Sequence, residues 1–222
     1  MAIVVIGGHS RSVGKTSVVA GLIRALPEFD WTALKITQYG HGICSANGEA
    51  CDCATGDHSW AISEEKSHTG DTDTSRFLLA GAVGAFWVRT EQGRLAEAMP
   101  ALRKRLDRSR HVIIESNSVL KFLRPDVYLT VLDPGTADFK TSAQEFLDRA
   151  SAVILHASES ANTNWQNVSL KPVAARPIFR INPPDYVTAE IVEFVRKRID
   201  AIASDSSSRH AHDLSLRGSS QN

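Results

Sequence analysis

The sequence predicts an α/β fold built on a doubly wound, mainly parallel sheet, and three observations predict it. Short apolar runs rich in β-branched residues recur at 2–6, 31–36, 82–88, 111–114, Val127–Leu132, 152–155 and 177–181. Most of the intervals between them carry apolar side chains at helical spacing, the pattern of strands covered on both faces and joined by helical crossovers. The first run, Ala2-Ile3-Val4-Val5-Ile6-Gly7, leads into Gly8-His9-Ser10-Arg11-Ser12-Val13-Gly14-Lys15-Thr16-Ser17 and then into a helical stretch. Strand, glycine-containing loop and helix in that order form a phosphate-binding unit.

The elements follow in order. Residues 16–26 set Val18, Val19, Leu22, Ile23 and Leu26 on one helical face and stop at Pro27, as the helix behind a phosphate loop must. The stretch 37–74 breaks the pattern, with nearly forty residues of Gly, Ser, Thr, Asp, His and Cys and little apolar periodicity. It reads as a Cys/His-containing insertion, and long loops inside a compact domain are commonly functional or disordered. A helix is expected to begin around Phe77, and Leu95, Met99, Leu102 and Leu106 mark another, which Pro100 should kink or divide. Ile191, Phe194, Val195 and Ile199 form the inner face of a last helix, opened after Pro183-Pro184 by Asp185. From Ser204 the composition turns to Ser, His, Arg, Asp and Asn, which predicts a single domain over 1–203 and a disordered tail over 204–222. His210 and His212 in that tail read as solvated residues more readily than as metal ligands.

Twenty-five basic and twenty-five acidic residues leave a chain of 222 residues without net charge. That balance argues against a nucleic-acid or membrane surface as the main partner. No signal peptide and no long apolar run are evident, so a soluble cytoplasmic protein is expected.

Chemistry concentrates at four places. In the loop from Gly8 to Ser17, backbone N–H groups cradle phosphate oxygens, Lys15 reaches the outer phosphates and the Thr16 hydroxyl ligates Mg²⁺. Gly8 and Gly14 are separated by five residues rather than the usual four, and His9 falls where the pattern is shifted. The strand 111–114 ends in Glu115, followed by Ser116-Asn117-Ser118. A carboxylate at the carboxyl end of a parallel strand is placed to hold Mg²⁺ or its water; Asp133, after Val127–Leu132, is a weaker candidate. Lys35 closes the second strand, either facing phosphate or a substrate carboxylate or extended at the surface. Asp71, Asp73, Ser75 and Arg76 precede the apolar stretch at 77–82; they cap a helix, or Asp73 and Arg76 face a ligand. Cys44, Cys51 and Cys53, with His41 before them and His58 after, supply donors for a tetrahedral S₃N shell suited to Zn²⁺. Free thiols and a redox role are the alternatives.

Taken together these motifs resemble the adaptor-type GTP-binding proteins of molybdopterin-guanine dinucleotide biosynthesis, the MobB family. These share a P-loop NTPase class with dethiobiotin synthetase and the nickel-insertion GTPases. The matching residues are the loop from Gly8 to Thr16, Lys35, Asp73 and Arg76 followed by Ala80-Gly81-Ala82, and Glu115; they span roughly residues 1–135. Dethiobiotin synthetase has the same five-residue spacing in its loop. Ile36-Thr37-Gln38-Tyr39-Gly40-His41 stands where the MobB family has a histidine-rich run, the cysteine segment is extra, and Ser116 stands where that family has glycine. The resemblance implies a Mg²⁺-dependent nucleotide binder that turns over GTP or ATP slowly, with Lys15 and Glu115 as catalytic residues. It implies a protein partner in metal-cofactor assembly; the oligomeric state stays open, with a homodimer among the options. Two alternatives remain: an ATP-dependent ligase or kinase acting on a small carboxylate or carbamate, and a metal- or nucleotide-responsive module without turnover. No Asn-Lys-x-Asp motif marks a guanine site, so ATP and GTP both stay open.

Overall fold

Along the first strand, β1 (Ala2–Gly8), successive side chains alternate between two apolar cores: Val4 and Ile6 join one, Val5 the other. A strand covered on both faces must behave this way, because its side chains project with a period of two. The computed structural model describes residues 1–39, 58–157, 165 and 167–218, with side chains up to Ser204. After β1 come α1 (Lys15–Ala25), β2 (Trp31–Tyr39), β3 (Trp60–Glu64), α2 (Asp73–Leu79) and β4 (Gly84–Glu91). Then follow α3 (Leu95–Leu106), β5 (His111–Glu115), β6 (Val127–Leu132), α4 (Thr141–Gln144), β7 (Ala152–His156), β8 (Ile178–Ile181) and α5 (Ala189–Gly218).

Eight described strands form one sheet in the order β3-β4-β2-β5-β1-β6-β7-β8. Every pairing is parallel except β3 with β4. The α/β, doubly wound, mainly parallel class read from the sequence is the observed one. From β1 the chain builds outward one way through β2 and the other way through β6 and β7, so the crevice at the carboxyl ends of β1 and β6 is a topological switch point.

One face of the sheet is covered by α1, α2 and α5: Val18, Val19, Leu22 and Ile23 meet Phe77, Ile191, Val195 and Ile199 there. The other face is covered by α3, through Leu95, Ala98, Met99, Leu102 and Leu106, and by Phe146, Leu147, Trp165 and Val173. Each such fully buried aliphatic side chain contributes about 1.5–3 kcal/mol.

Several boundaries differ from expectation, each for a local reason. Residues 37–39 of the polar stretch prolong β2, and 60–64 make β3, an antiparallel edge strand. The helix expected near Phe77 starts earlier, at Asp73, capped by Thr72. It ends before Ala80 because Gly81 turns the chain at φ 108°, delaying β4 to Gly84. Pro100 lies inside α3, which runs as one helix from Leu95 to Leu106. Asp185 does not open the last helix: it bridges Asn182, and α5 begins at Ala189. The α5 backbone continues to Gly218, past the Ser204 at which composition places the tail. No helix among the described residues is long and apolar enough to cross a membrane.

Candidate phosphate site at the carboxyl edge of the sheet

The loop between β1 and α1 is fixed at both ends. At its start the side-chain amide of Asn117 copies a strand partner, accepting from Gly8 N–H at 3.0 Å and donating to Gly8 C=O at 2.9 Å. A side chain on Gly7 would place its Cβ 2.2 Å from that amide oxygen, which explains the glycine. At its far end Gly14 caps α1 with φ 87°, and the Tyr186 ring lies where a Cβ would sit, 2.0 Å from it. Both the backbone angle and the close approach exclude any other residue there. Ser12 also takes a positive φ, 55°, an uncommon value for a non-glycine residue that clusters at ligand sites. His156 Nε2 donates to Val13 C=O at 3.0 Å and braces the loop from β7.

Lys15 folds back along the loop and donates to Ser10 C=O, which puts its ammonium at the outer end of the cradle. Burial pushes its pKa down to about 8, against the pull of the Glu115 carboxylate. Such a cation has an unmet demand for negative charge. Thr16 Oγ1 donates to Glu115 Oε2 at 2.8 Å. Glu115, only 5% exposed, accepts on its other oxygen from Lys35 Nζ at 3.0 Å. Lys35 also pairs with Asp73 at the start of α2. Burial opposes the Lys35 charge, but Glu115 and Asp73 together hold its ammonium above the ordinary lysine range. Arg76, one turn along α2, reaches Ser17 Oγ at 3.1 Å and lies 3.8 Å from Asp73.

The loop's opposite side is covered by the segment after β6. His9 is fully buried; its Nδ1–H donates to Asp138 C=O at 2.7 Å and its Nε2 accepts from Asp133 N–H at 3.0 Å. The ring packs on Phe139 and Trp165 with centroids 5.1 Å away. Ser10 Oγ donates to Asp138 Oδ2 at 2.7 Å, and Lys140 N–H donates to His9 C=O at 2.8 Å. Residues 138–140 are thereby stapled to the loop beside Ser10.

The structure brings together Lys15, Thr16, Ser17, Lys35, Asp73, Arg76 and Glu115. Lys35 is engaged in ion pairs rather than extended at the surface, and Asp73 both opens α2 and faces Lys35. His9 contributes backbone to the loop while its ring turns away to Asp133 and Asp138. Asp133 is directed elsewhere: its carboxylate accepts from Gly135 N–H and from Thr136 Oγ1, at 2.9 and 2.7 Å. The roles of Asn117, Asp138, Lys140 and Tyr186 are not legible in the sequence, because no local spacing announces a clamp made by residues more than a hundred positions away.

His41, Cys44, Cys51 and Cys53 lie outside the described residues. His58 is described and is exposed; its carbonyl accepts from Tyr39 Oη at 3.2 Å. Among the described residues no three His, Cys, Asp or Glu side chains gather as a metal cage. The Thr16 hydroxyl and the Glu115 carboxylate, already within hydrogen-bond contact, form a hard-oxygen pair of the kind Mg²⁺ takes when it keeps several waters and phosphate oxygens.

No protein-family model matches the chain, and no curated protein matches it. Solved structures similar to it include HypB from Helicobacter pylori in complex with nickel, at 15% identity and TM-score 0.45, covering 90% of this chain and 88% of that one. LpxK from Aquifex aeolicus in complex with ATP aligns at 16% identity and TM-score 0.43, covering 81% of this chain. This chain spans only 53% of the LpxK chain. MobB from Bacillus subtilis aligns at 16% identity and TM-score 0.38, covering 89% of this chain and 98% of that one.

Proposed function

We propose that the chain binds a nucleoside triphosphate with Mg²⁺ and hydrolyses it slowly, as a cytoplasmic accessory protein of molybdenum-cofactor or other metal-cofactor assembly. One observation carries the nucleotide reading: a half-buried Lys15 folds back over a cradle of backbone N–H groups beside a Thr16–Glu115 pair. Phosphate oxygens satisfy all three demands at once. They neutralise Lys15, accept from the α1 N-terminus and complete an oxygen shell begun by Thr16 and Glu115.

Thr16 and Glu115 would hold the Mg²⁺, which when bound draws negative charge from the phosphate oxygens. The protein's own contribution is placement and charge. Lys15 fixes the outer phosphates, while Glu115, paired with Lys35, orients an attacking water through its carboxylate. Asp73 keeps Lys35 in place and shares its charge with Glu115, so removal of Asp73 leaves Lys35 to pair with Glu115 alone. The accessory role and the protein partner rest on the motif resemblance. Cys44, Cys51 and Cys53 with His41 or His58 supply the donors for a Zn²⁺ site on their chemistry alone.

Calorimetric titration of Mg·ATP and Mg·GTP against wild type and Lys15→Ala tests this reading. Wild type is expected to bind one or both nucleotides, and Lys15→Ala to lose binding entirely. Unaltered affinity in the variant overturns the site. Turnover that rises only with a small carboxylate, and with no protein, replaces the accessory role by the ligase or kinase reading, in which Lys35 steadies the acid. Elemental analysis of the same preparation is expected to find stoichiometric Zn²⁺; no metal, with three freely reactive thiols, removes that part.

A further inference from the structure

Among the described residues the Lys140 ammonium makes no hydrogen bond or ion pair. Lys35 has Asp73 and Glu115, Arg76 has Asp73 and Ser17, and Lys15 has Ser10 C=O. The Asp138 and Glu115 carboxylates act on the Lys140 ammonium through their charge alone. It is nevertheless half-buried, and burial, followed by the neighbouring Arg11 guanidinium, pushes its pKa below the ordinary lysine range. A surface lysine with no duty would extend into water instead.

Its position is set by three bonds from the loop. His9 C=O accepts from Lys140 N–H, Ser10 Oγ donates to the Asp138 carboxylate, and His9 Nδ1–H donates to Asp138 C=O. These fasten the segment after β6 to the Ser10 end of the loop, where the Lys15 ammonium also rests. That end is the outer one. The inner phosphates of a nucleotide meet the backbone at Gly14–Thr16, whereas the group farthest from the nucleoside meets the tip of Lys15. Lys15, Lys35 and Glu115 all lie close enough to Lys140 for their charges to act on one another.

We propose that Lys140 is a terminal-phosphate ligand: supplied from across the switch point by the segment after β6, it makes the site select a nucleoside triphosphate over the diphosphate. The inference rests on the nucleotide reading above and adds to it a residue outside the loop motif. It also gives a physical reason for the stapling of residues 138–140 onto His9 and Ser10, since a lysine used for discrimination has to be held against the loop it serves.

Lys140→Gln removes the charge and keeps the stem. Binding of Mg·triphosphate and Mg·diphosphate to wild type, Lys140→Gln and Lys140→Arg, measured by calorimetry at fixed salt, tests the assignment. A lost charge-assisted contact is expected to weaken triphosphate binding by roughly tenfold or more. Diphosphate binding is expected to stay within about twofold, and Lys140→Arg to recover most of the triphosphate affinity. An equal loss for both nucleotides, or an unchanged ratio between them, overturns the inference while leaving nucleotide binding standing. A wild-type protein that binds neither nucleotide overturns both.

Discussion

At the scale of single residues, His9 shows how a loop motif is adapted to its surroundings. Only the neutral ring protonated on Nδ1 can donate to Asp138 C=O and accept from Asp133 N–H at the same time. Burial lowers its affinity for a proton accordingly. In the unfolded chain a histidine titrates near 6.5. The folded state thus carries fewer protons than the unfolded state as pH falls below that value, and stability present above it is progressively lost. His111, at the opposite edge of the sheet, is lowered by burial and by the N-terminal ammonium, and acts in the same direction. The carboxylates of Asp133 and Glu65 titrate below their ordinary range and leave the interval from pH 7 to 5.5 to the histidines. Melting temperature is therefore expected to fall over that interval. In His9→Asn the starting value should be lower and the pH slope shallower; an identical slope would show that His9 does not carry the effect. The sequence displayed His9 only as a loop residue where the spacing departs from pattern. The claim on its ring comes from residues 124 and 129 positions away, and no local pattern encodes that.

At the scale of elements, α2 presents Asp73 to Lys35 because its first turn is held on both sides. Thr72 caps it, with its side chain accepting from Ser75 N–H at 3.1 Å while Ser75 Oγ accepts from Thr72 N–H at 2.9 Å. Beneath this turn the Glu65 carboxylate accepts from the hydroxyls of Thr72 and Thr74 and from the N–H groups of Lys66 and Ser67. Those bonds, against the cost of burial, keep the Glu65 carboxyl below its usual range. Loss of an N-cap side chain costs about 1 kcal/mol, and for a chain of this size that lowers the melting temperature by roughly 2–4 °C. Thr72→Ala is expected to show that drop by circular dichroism, and Thr72→Ala combined with Glu65→Ala less than the sum of the single changes, because the two share one hydrogen bond. A melting temperature unmoved by Thr72→Ala would count against the brace. The polar sequence around Asp73 announced a helix start, whereas Glu65 announced nothing, since its partners are chosen by the fold. β3 was equally illegible: five residues ending in Ser63 and Glu64 form a strand only because β4 offers an open edge to pair with. The parallel strands other than β8 were legible because they bury apolar runs in the sheet, whereas β8 buries only Ile181 and shows by its apolar, β-branched composition.

At the scale of the whole molecule, the sheet brings distant segments to one crevice, and the last helix decides how much of the chain is needed to keep it. Ile191, Val195 and Ile199 of α5 are at most 1% exposed and pack into the same core as Val18, Val19, Leu22 and Ile23 of α1, the helix whose N-terminus forms the phosphate cradle. Just before α5, Val187 fills the space beside Gly21, and Tyr186 covers Gly14. The three isoleucine and valine side chains together contribute roughly 5–9 kcal/mol of burial, comparable with the 5–15 kcal/mol by which a domain is typically stable. Deletion of residues 189–222 is therefore expected to leave a chain without a cooperative thermal transition. Residues 205–222 are polar in composition, and among the described side chains of α5, which run to Ser204, the last buried one is Ile199. A chain ending at Ser204 should melt within about 2 °C of the full-length protein and bind nucleotide with unchanged affinity. Circular dichroism melts and calorimetry on the two truncations check this. Retained folding without α5 would show that the cradle needs only the sheet and α1; lost affinity at the Ser204 truncation would show that the polar extension reaches the site.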